Sequence, residues 1–280
     1  SYPLWLVRLF VREYGYSESE KIFAAEKEER PLYIRINRLK GAEAEVLAAF
    51  KQAGIEYTKT PLPLAYKTDG VVQKTKLFSE GKITIQDLSA QFPAVMASPE
   101  KTDRVLDLCA APGGKTAQLA DLMENGGEII ACDIHSHKLE LMEKGFKRLG
   151  VKNVQTRLLD ARKANEVFPK QSFERILADV PCSGLGVVSH KPEIKYSLDE
   201  ATLSELVLLQ KEILEAGWDL LKPGGYFVYS TCTLNGAENE GQIRAFLERH
   251  PDAEIVEERK ILPFEYPSDG FYTCKLRRLI

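Results

Sequence analysis

Several features that would place a chain in a broad class of protein are missing from this sequence. No apolar run approaches the ~18 residues of a membrane span, so we expect no membrane partner. The opening stretch SYPLWLVRLFVREYG has Arg8 and Arg12 among its apolar residues, and no small-residue cleavage site follows it. It therefore predicts an amphipathic helix, with Leu4, Val7 and Val11 on one side, rather than a signal peptide. Because there is no initiator Met, we expect a piece of a longer chain.

Cysteine pairs and histidine clusters are missing as well. The five cysteines are 23 to 50 residues apart and the four histidines are scattered, so we predict no metal site. An odd number of dispersed cysteines is typical of free thiols in a reducing compartment, and we predict a cytoplasmic protein. Cys132 and Cys274 lie within apolar runs and are expected to be inert core residues.

Two common phosphate-binding motifs are absent from the stretch RVLDLCAAPGGKT (Arg104–Thr116). A P-loop would need glycine where Cys109 stands, and G-x-G-x-x-G fails because Gly113 and Gly114 are adjacent. The stretch still has the order of a strand, a glycine turn and a helix N-terminus, whose first N–H groups lack intrahelical partners. It suits a nucleoside-like cofactor without a pyrophosphate, such as S-adenosyl-L-methionine. An ordinary strand-to-helix turn is the alternative.

Strands and helices alternate from residue 83 onward. Five apolar strands are predicted at Val105–Cys109, Glu128–Asp133, Val154–Leu158, Phe173–Asp179 and Tyr226–Thr231. Four helices are predicted at Lys115–Glu124, His137–Leu149, Asp199–Leu221 and Glu238–His250. Two further strands, Ala253–Glu257 and Phe271–Leu276, are expected to pair antiparallel. The pattern favours an α/β fold with a doubly wound, mostly parallel sheet of seven strands.

A smaller region precedes this sheet. A capping-box pattern at Ser17 to Glu20 predicts a second helix, and Leu32–Asn37 with Glu43–Ala53 predicts a strand followed by a helix. We place the boundary near Ser79, which divides the chain into a helical plus small α+β region at 1–79 and the larger α/β domain at 80–280.

Acidic residues follow three of the predicted strands. Ligands of such sheets bind beyond the carboxyl ends of the strands. Asp133 stands there, 19 residues after Gly114, where an acid would bind ribose hydroxyls, although a helix N-cap is a serious alternative. Asp160 follows the third strand and Asp179 ends the fourth. Together with the glycine turn, the three acids favour a nucleoside cofactor.

Positive charge is concentrated in one stretch, although the net charge is only −3. Between Arg30 and Glu80 there are nine Lys or Arg against five Asp or Glu. Arg35 and Arg38 lie beside Tyr33 and are candidates for guiding RNA. On charge alone, a solvated strand edge is the slightly favoured interpretation.

Two cysteines differ from the rest in their surroundings. Cys182, in ADVPCSGLG, follows the fourth predicted strand, and Cys232, in YSTCTLNG, ends the fifth. Both are expected at the edge of the sheet where ligands bind, so we take them as candidates for chemistry. A redox pair is the alternative, but the C-x-x-C spacing is missing. Residue type alone does not choose between the two cysteines.

These motifs resemble those of the RNA cytosine-5 methyltransferases of the Sun/RsmB type. The resemblance rests on VLDLCAAPGGKT, on DVPCSGLG with KPEIKY, and on STCTLNGAENEGQI, in that order. TIQDLSAQ, SDGFYTCKL and the N-terminal SYPLWLVRLFVREYG with ERPLYIRINRLK also match, so nearly the whole chain is covered. Ser189 and His190 depart from the pattern, since arginines are more usual there. The resemblance implies a Rossmann-like, S-adenosyl-L-methionine-dependent methyltransferase, preceded by an RNA-binding region.

Matched positions carry implied roles. The cofactor would be bound by the glycine turn and three acids, namely Cys109, Ala110, Ala111, Pro112, Gly113, Gly114, Lys115, Asp133, Asp160 and Asp179. Substrate contacts are expected from Arg35, Arg38, Lys115 and Asp179. Cys232 would be the nucleophile and Cys182 would assist its release.

The implied substrate is small-subunit ribosomal RNA, unassembled or partly assembled, bound by a monomer. Two alternatives remain. A methyltransferase for amino groups would have an Asn-Pro-Pro-Tyr type motif after the fourth strand, and Asp-Val-Pro-Cys stands there instead. A non-catalytic RNA-binding assembly factor would not need intact Cys182 and Cys232.

Overall fold

The computed structural model describes residues 2–280, so Ser1, with which the predicted N-terminal region begins, lies outside the described residues. The N-terminal part contains α1 (Leu4–Ala25), β1 (Leu32–Ile36), α2 (Glu43–Gln52), β2 (Tyr57–Lys59), β3 (Ala65–Thr68), α3 (Lys76–Ser79) and β4 (Ile83–Ile85). Three short 3-10 turns lie between the helices and strands of the whole chain, at Val72–Lys74, Ser89–Gln91 and Ala161–Lys163.

The first helix is interrupted at Gly15, whose φ of 75° and ψ of 171° are not helical. This break separates the two helices that the sequence predicts. The predicted apolar face is wrong, because Leu4 is exposed whereas Leu6 and Phe10 are buried. The buried face packs against loops of the larger domain, including Leu185.

The small sheet is antiparallel, in the order β2-β3-β1-β4. Helix α2 covers it, with Val46 and Phe50 packed against Ile34 of β1. Strand β4 pairs with β1, with Ile34 opposite Ile85. The division of the chain after Ser79 stays a prediction, and the fourth strand of the small sheet lies on its C-terminal side.

The larger part begins with the short helix that follows β4. Its elements are α4 (Phe92–Ala97), β5 (Arg104–Asp107), α5 (Gly114–Leu122), β6 (Glu128–Asp133), α6 (Ser136–Leu149), β7 (Val154–Leu158), α7 (Ala164–Val167), β8 (Phe173–Asp179), α8 (Ile194–Ser197), α9 (Glu200–Trp218), β9 (Leu221–Thr231), α10 (Glu240–Arg249), β10 (Ala253–Ile261) and β11 (Phe271–Arg278). No helix within residues 2–280 is long and apolar enough to cross a membrane.

The seven-stranded sheet has the order β10-β11-β9-β8-β5-β6-β7. Strands β9, β8, β5, β6 and β7 run parallel, whereas β11 is antiparallel to both β9 and β10. The predicted fold is thereby confirmed, including the antiparallel pair at the end of the chain. Alternate residues of β5 face opposite layers, since Leu106 packs with Trp218 of α9 while Val105 packs with Leu119 of α5. Helices on both faces explain the continuous apolar runs of the central strands.

Candidate active site

The carboxyl ends of the central strands bring four of the predicted side chains together. Lys115 Nζ at the start of α5 lies 2.6 Å from Asp179 Oδ2 at the end of β8. Ser230 Oγ donates a hydrogen bond of 2.8 Å to the other oxygen of Asp179. Beside them, the Sγ atoms of Cys182 and Cys232 are 3.4 Å apart. Residues far apart in sequence thus meet because parallel strands end at one edge of the sheet.

The glycine turn connects β5 to α5. Gly113 is the N-cap of α5 and has a φ of 98°, which a residue with a side chain rarely adopts. Its N–H donates to the carbonyl of Ala110 at 2.7 Å, and the Ala110 N–H donates to the carbonyl of Cys132 at 2.8 Å. The turn is therefore tied to the end of β6, and the first N–H groups of α5 are left for a ligand.

Asp107 is a candidate site residue that the sequence did not reveal. It is the last residue of β5, is 1% exposed, and accepts a hydrogen bond of 2.7 Å from Thr116 Oγ1. Its Oδ1 is buried without a hydrogen-bond partner within residues 2–280, and burial raises the pKa of Asp107 to about 7. The predicted strand runs on to Cys109 and so places Asp107 inside it. An acid within an otherwise apolar strand, just before the glycine turn, was the signal that could have identified it.

Asp133 and Asp160 also lie where the sequence places them, and both already have partners. Asp133 Oδ1 accepts a hydrogen bond of 2.9 Å from the His135 N–H, but the N-cap of α6 is His135, so the alternative that Asp133 is a helix N-cap is wrong. Asp160 is bound through both oxygens by the guanidinium of Arg162, with the shortest contact at 2.6 Å. This partner lowers the pKa of Asp160. A ligand at Asp160 must therefore share its carboxylate with Arg162.

The acceptors at this edge fit S-adenosyl-L-methionine. Its amino group and two ribose hydroxyls are hydrogen-bond donors, and its sulfonium is a cation. Asp107 offers an unpartnered buried oxygen, and Asp133 ends the neighbouring strand with one oxygen in a hydrogen bond. The N-terminus of α5 suits the carboxylate of the methionine moiety, since unpaired N–H groups and the helix dipole attract anions. Within residues 2–280, no cluster of three or more His, Cys, Asp or Glu side chains could hold a metal ion.

The two neighbouring cysteines differ in acidity. A hydrogen bond from Cys182 lowers the pKa of the Cys232 thiol against the opposing effect of burial, and Lys115 acts in the same direction. The same hydrogen bond, with burial, raises the pKa of Cys182. Cys232 is therefore the more readily ionised sulfur of the pair, and the thiolate is the nucleophilic form of cysteine.

The other cysteines are less suited to chemistry. Burial raises the pKa of Cys132 and of Cys274 to about 12, and both are buried as expected. Cys109, in the glycine turn, is half-buried, and burial raises its pKa also. We expect Cys109 to contribute to the shape of the cofactor site as a neutral thiol.

The two arginines predicted to contact RNA have different surroundings. The guanidinium of Arg35 is 2% exposed, lies 3.0 Å from Asp121 Oδ2 and donates to Gln86 Oε1 at 3.2 Å. The expectation that Arg35 contacts the substrate is corrected accordingly, because β1 packs this side chain against α5 in the interior. Arg38 is 43% exposed and approaches the same aspartate at 3.6 Å, so it keeps a surface that RNA can reach.

Comparison with known families gives two matches. A model of the family described as 16S rRNA methyltransferase RsmB/F matches residues 94–277. A model of the ferredoxin-like domain of RsmF/B-like methyltransferases matches residues 2–67. The first match contains the whole edge with the glycine turn and both cysteines.

Individual relatives agree with these matches. The probable ribosomal RNA small subunit methyltransferase B of Bacillus subtilis (strain 168) is 37% identical over 297 residues, which are 99% of this chain and 66% of that protein. The ribosomal RNA small subunit methyltransferase B of Salmonella newport (strain SL254) is 36% identical over 285 residues, with shares of 98% and 66%. The chain therefore spans 66% of the length of these curated relatives.

A solved structure, the methyltransferase homolog protein from Pyrococcus horikoshii, is similar over the full chain. It has a TM-score of 0.91 and 28% identity, and the match covers 100% of this chain and 96% of that one. Both the small antiparallel sheet and the seven-stranded sheet therefore belong to an arrangement already seen in a methyltransferase homologue.

Proposed function

The chain belongs to the 16S rRNA methyltransferase RsmB/F family, and we propose that it transfers a methyl group to C5 of a cytosine in small-subunit ribosomal RNA. The observation that carries the proposal is the pair of cysteines, with sulfur atoms 3.4 Å apart, beside the Lys115–Asp179 ion pair. A methyltransferase acting on a nucleophilic amino group has no need of a thiolate. C5 of cytosine is a poor nucleophile and does need one.

The proposed reaction begins with Cys232. Its thiolate adds to C6 of the cytosine, which gives C5 the character of an enamine carbon that can attack a methyl donor. S-adenosyl-L-methionine, when bound, supplies the electrophilic methyl group. Loss of the C5 proton then restores the C5–C6 double bond and expels the Cys232 thiolate. We assign Cys182 to this release, because its sulfur lies 3.4 Å from that of Cys232, close enough for its thiol to donate a hydrogen bond to the leaving sulfur.

Lys115 and Asp179 have separate tasks in this scheme. Lys115 favours the thiolate of Cys232 by its charge, and Asp179 can hydrogen-bond the cytosine ring. The target base must be unstacked from its neighbours before it can enter the edge of the sheet. We assign RNA guidance to the N-terminal part, residues 1–79, with Arg38 as its candidate contact, and we propose that the protein acts as a monomer in the cytoplasm.

The cofactor assignment has its own test. We propose that Cys109 to Lys115, Asp133, Asp160 and Asp179 surround S-adenosyl-L-methionine, with Asp133 on the ribose hydroxyls. Asp133→Ala should weaken binding by about 1–3 kcal/mol, since charge-assisted hydrogen bonds are lost. Calorimetry measures this directly, with Asp252→Ala, a substitution of the acid just before β10, as the control. Equal affinity in Asp133→Ala and the parent chain would remove Asp133 from the site.

The reaction itself is tested by nucleoside analysis. The protein is incubated with S-adenosyl-L-methionine and protein-free 16S rRNA, and the digested RNA is examined by mass spectrometry. We expect 5-methylcytidine and no other new methylated nucleoside. A methyl group on a different base, or on an amino nitrogen, would overturn the proposed reaction.

A further inference from the structure

Three motifs without a role in the proposed chemistry meet at one corner of the candidate active site. They are TIQDLSAQ, which contains Asp87, the SHKPEIKY stretch, which contains His190, and SDGF, which contains Asp269. The three lie about 80 or more residues apart in sequence, yet hydrogen bonds and close polar contacts join them in the structure. We therefore asked what the contact between these three motifs does for the neighbouring cysteine pair.

The first connection is made by a single carboxylate oxygen. Asp87 Oδ1 accepts hydrogen bonds from the Ser89 N–H at 2.9 Å, from Ser268 Oγ at 2.6 Å and from the Asp269 N–H at 3.4 Å. Ser268 is fully buried, and its Oγ also accepts from the Ser89 N–H at 3.0 Å. The segment before β11 is thereby fixed to the segment before α4.

The second connection leads to the nucleophile. The N–H of Gly270 donates to the carbonyl of Gly186 at 2.9 Å, and the N–H of Gly186 donates to the carbonyl of Cys232 at 3.0 Å. Gly186 belongs to the loop that carries Cys182. A Cβ atom at this position would lie 1.9 Å from the Gly270 carbonyl oxygen and 2.9 Å from that of Cys232. Only glycine allows the Cys182 loop to lie between these two segments.

The third connection involves the side chain of Asp269 itself. It is 8% exposed, and its Oδ1 lies 3.3 Å from Nε2 of His190, outside hydrogen-bond alignment. His190 lies near the far end of the Cys182 loop. The charged groups around the carboxyl are Asp87, Arg30 and Lys191; burial, with Asp87, raises the pKa of Asp269 to about 7. The loop is therefore held at Gly186 by backbone hydrogen bonds, and near its far end His190 lies in close polar contact with this carboxyl.

We propose that Asp269 is a positioning residue for the cysteine pair: the contact of its carboxyl with His190 adds to the Gly270–Gly186 backbone bond in keeping the loop of Cys182 against Cys232. The positioning role requires no assumption about the reaction, whereas the effect of this positioning on catalysis rests on the proposed function. If Cys182 assists release of Cys232, loosening its loop slows release and leaves nucleophilic attack in place.

Disulfide formation between the two thiols measures their positioning without RNA or cofactor. Diamide oxidises the two thiols to one disulfide, and its azo group takes up the two electrons and two protons. At a given thiolate population, the rate depends on the effective concentration of Cys182 at Cys232, which falls when the loop is loosened. Because the charge of Asp269 also raises the pKa of Cys232, the decisive comparison is between Asp269→Ala and Asp269→Asn, which both lack that charge. The products are counted by alkylation of the remaining thiols and mass spectrometry of the two cysteine peptides.

We expect Asp269→Ala to slow disulfide formation by about tenfold. Asp269→Asn, which keeps an acceptor oxygen beside His190, should restore most of the rate. His190→Ala serves as a second variant that is safe for folding, because that side chain is 51% exposed, and it should slow the reaction in the same direction. Asp252→Ala, which removes a carboxylate bonded to Arg278 at β11, is the control and should leave the rate unchanged.

A parent-like rate in both Asp269→Ala and His190→Ala would overturn the positioning role. So would an Asn variant that is as slow as the Ala variant at equal thermal stability. The catalytic consequence is read separately, as accumulation of a denaturation-resistant RNA adduct in Asp269→Ala. If the thiol result holds and no adduct ever forms in any variant, the proposed reaction fails and the positioning role survives.

Discussion

Two ion pairs in this molecule have similar chemistry and opposite surroundings. Lys115 and Asp179 meet at the edge of the large sheet with side chains 16% and 26% exposed, whereas Arg35 and Asp121 meet between the two sheets with both 2% exposed. A substrate can exchange contacts with the first pair and cannot reach the second. Lys115, next to the glycine turn, is therefore a candidate site residue. Arg35, from the most basic stretch of the chain, instead joins β1 to α5 through Asp121, a contact that we call the junction.

The energetic consequences differ in the same way. A buried ion pair has given up its hydration, so removing one partner leaves a costly uncompensated charge in the interior. A partly exposed pair is screened by water and contributes less to folding. We therefore expect substitutions at the sheet edge to change chemistry and substitutions at the junction to change stability.

The largest expected effect is at the sheet edge. Cys232→Ala removes the attacking thiolate, so methylation should fall by roughly 10³-fold or more, with no covalent adduct. Cys182→Ala leaves attack possible and should trap enzyme on RNA as an adduct that requires S-adenosyl-L-methionine. A denaturing gel with labelled cytosine-containing RNA measures both, and the double variant should form no adduct. Adduct that accumulates in Cys232→Ala instead would reverse the two roles.

Substitution of the buried Arg35–Asp121 pair should lower the stability of the fold. Arg35→Met leaves the Asp121 carboxylate buried without its main partner and should lower the free energy of unfolding by about 3–5 kcal/mol. Urea denaturation measures this loss. As a matched control, Lys101→Met breaks an exposed pair with Glu124 and should cost less than about 1 kcal/mol. Equal losses in the two variants would contradict the distinction between a buried and an exposed pair.

A substitution of Lys115 should change the pH dependence of Cys232 reactivity at the sheet edge. Lys115 contributes to lowering the pKa of Cys232 below the ordinary value for a cysteine. The thiolate therefore forms at a lower pH than in an ordinary cysteine. Lys115→Met removes that positive charge and leaves the negative charge of Asp179 without its cation, and both changes disfavour the thiolate. The pH profile of Cys232 alkylation should therefore move to higher pH. Lys101→Met is again the control, and an unmoved profile in Lys115→Met would exclude an electrostatic role for this lysine.

The smallest expected effect concerns the basic stretch. Arg38 is the exposed neighbour of the buried pair, and Arg38→Gln should weaken RNA binding modestly and reduce the salt dependence of affinity by about one unit of slope. Cofactor affinity should not change. Titration of RNA at several salt concentrations measures the slope, with exposed Arg244→Gln on α10 as the control. If the slope is the same in all three proteins, Arg38 lies on a solvated face away from RNA.

Much of the site could be predicted because its parts are local in sequence. A strand, a glycine turn and a helix start are predicted within Arg104–Thr116, and the structure forms β5 and α5 there. Cofactor binding at this edge remains our proposal. Cys182 and Cys232 stand after neighbouring strands, and the rule that parallel strands end at one edge brings them together. Their 3.4 Å separation depends on loop packing and could not be predicted.

The remaining features depend on what covers each side chain. Arg35 reads as a basic surface residue in a charged stretch, yet packing of β1 against α5 buries it. Asp107 lies inside the predicted strand Val105–Cys109, yet the observed strand ends at Asp107, and one of its carboxylate oxygens is buried without a hydrogen-bond partner among residues 2–280.

By itself, the sequence determined the alternation of elements, the sheet they form and the two cysteines at its edge, because apolar periodicity and turn residues act over short stretches of chain. Only the tertiary structure decided which cations are buried and which are exposed to solvent. It also brought Asp87, His190 and Asp269 together beside Cys232. Burial and long-range contact are properties of the packed molecule, and side chains about 80 or more residues apart carry no local signal of meeting.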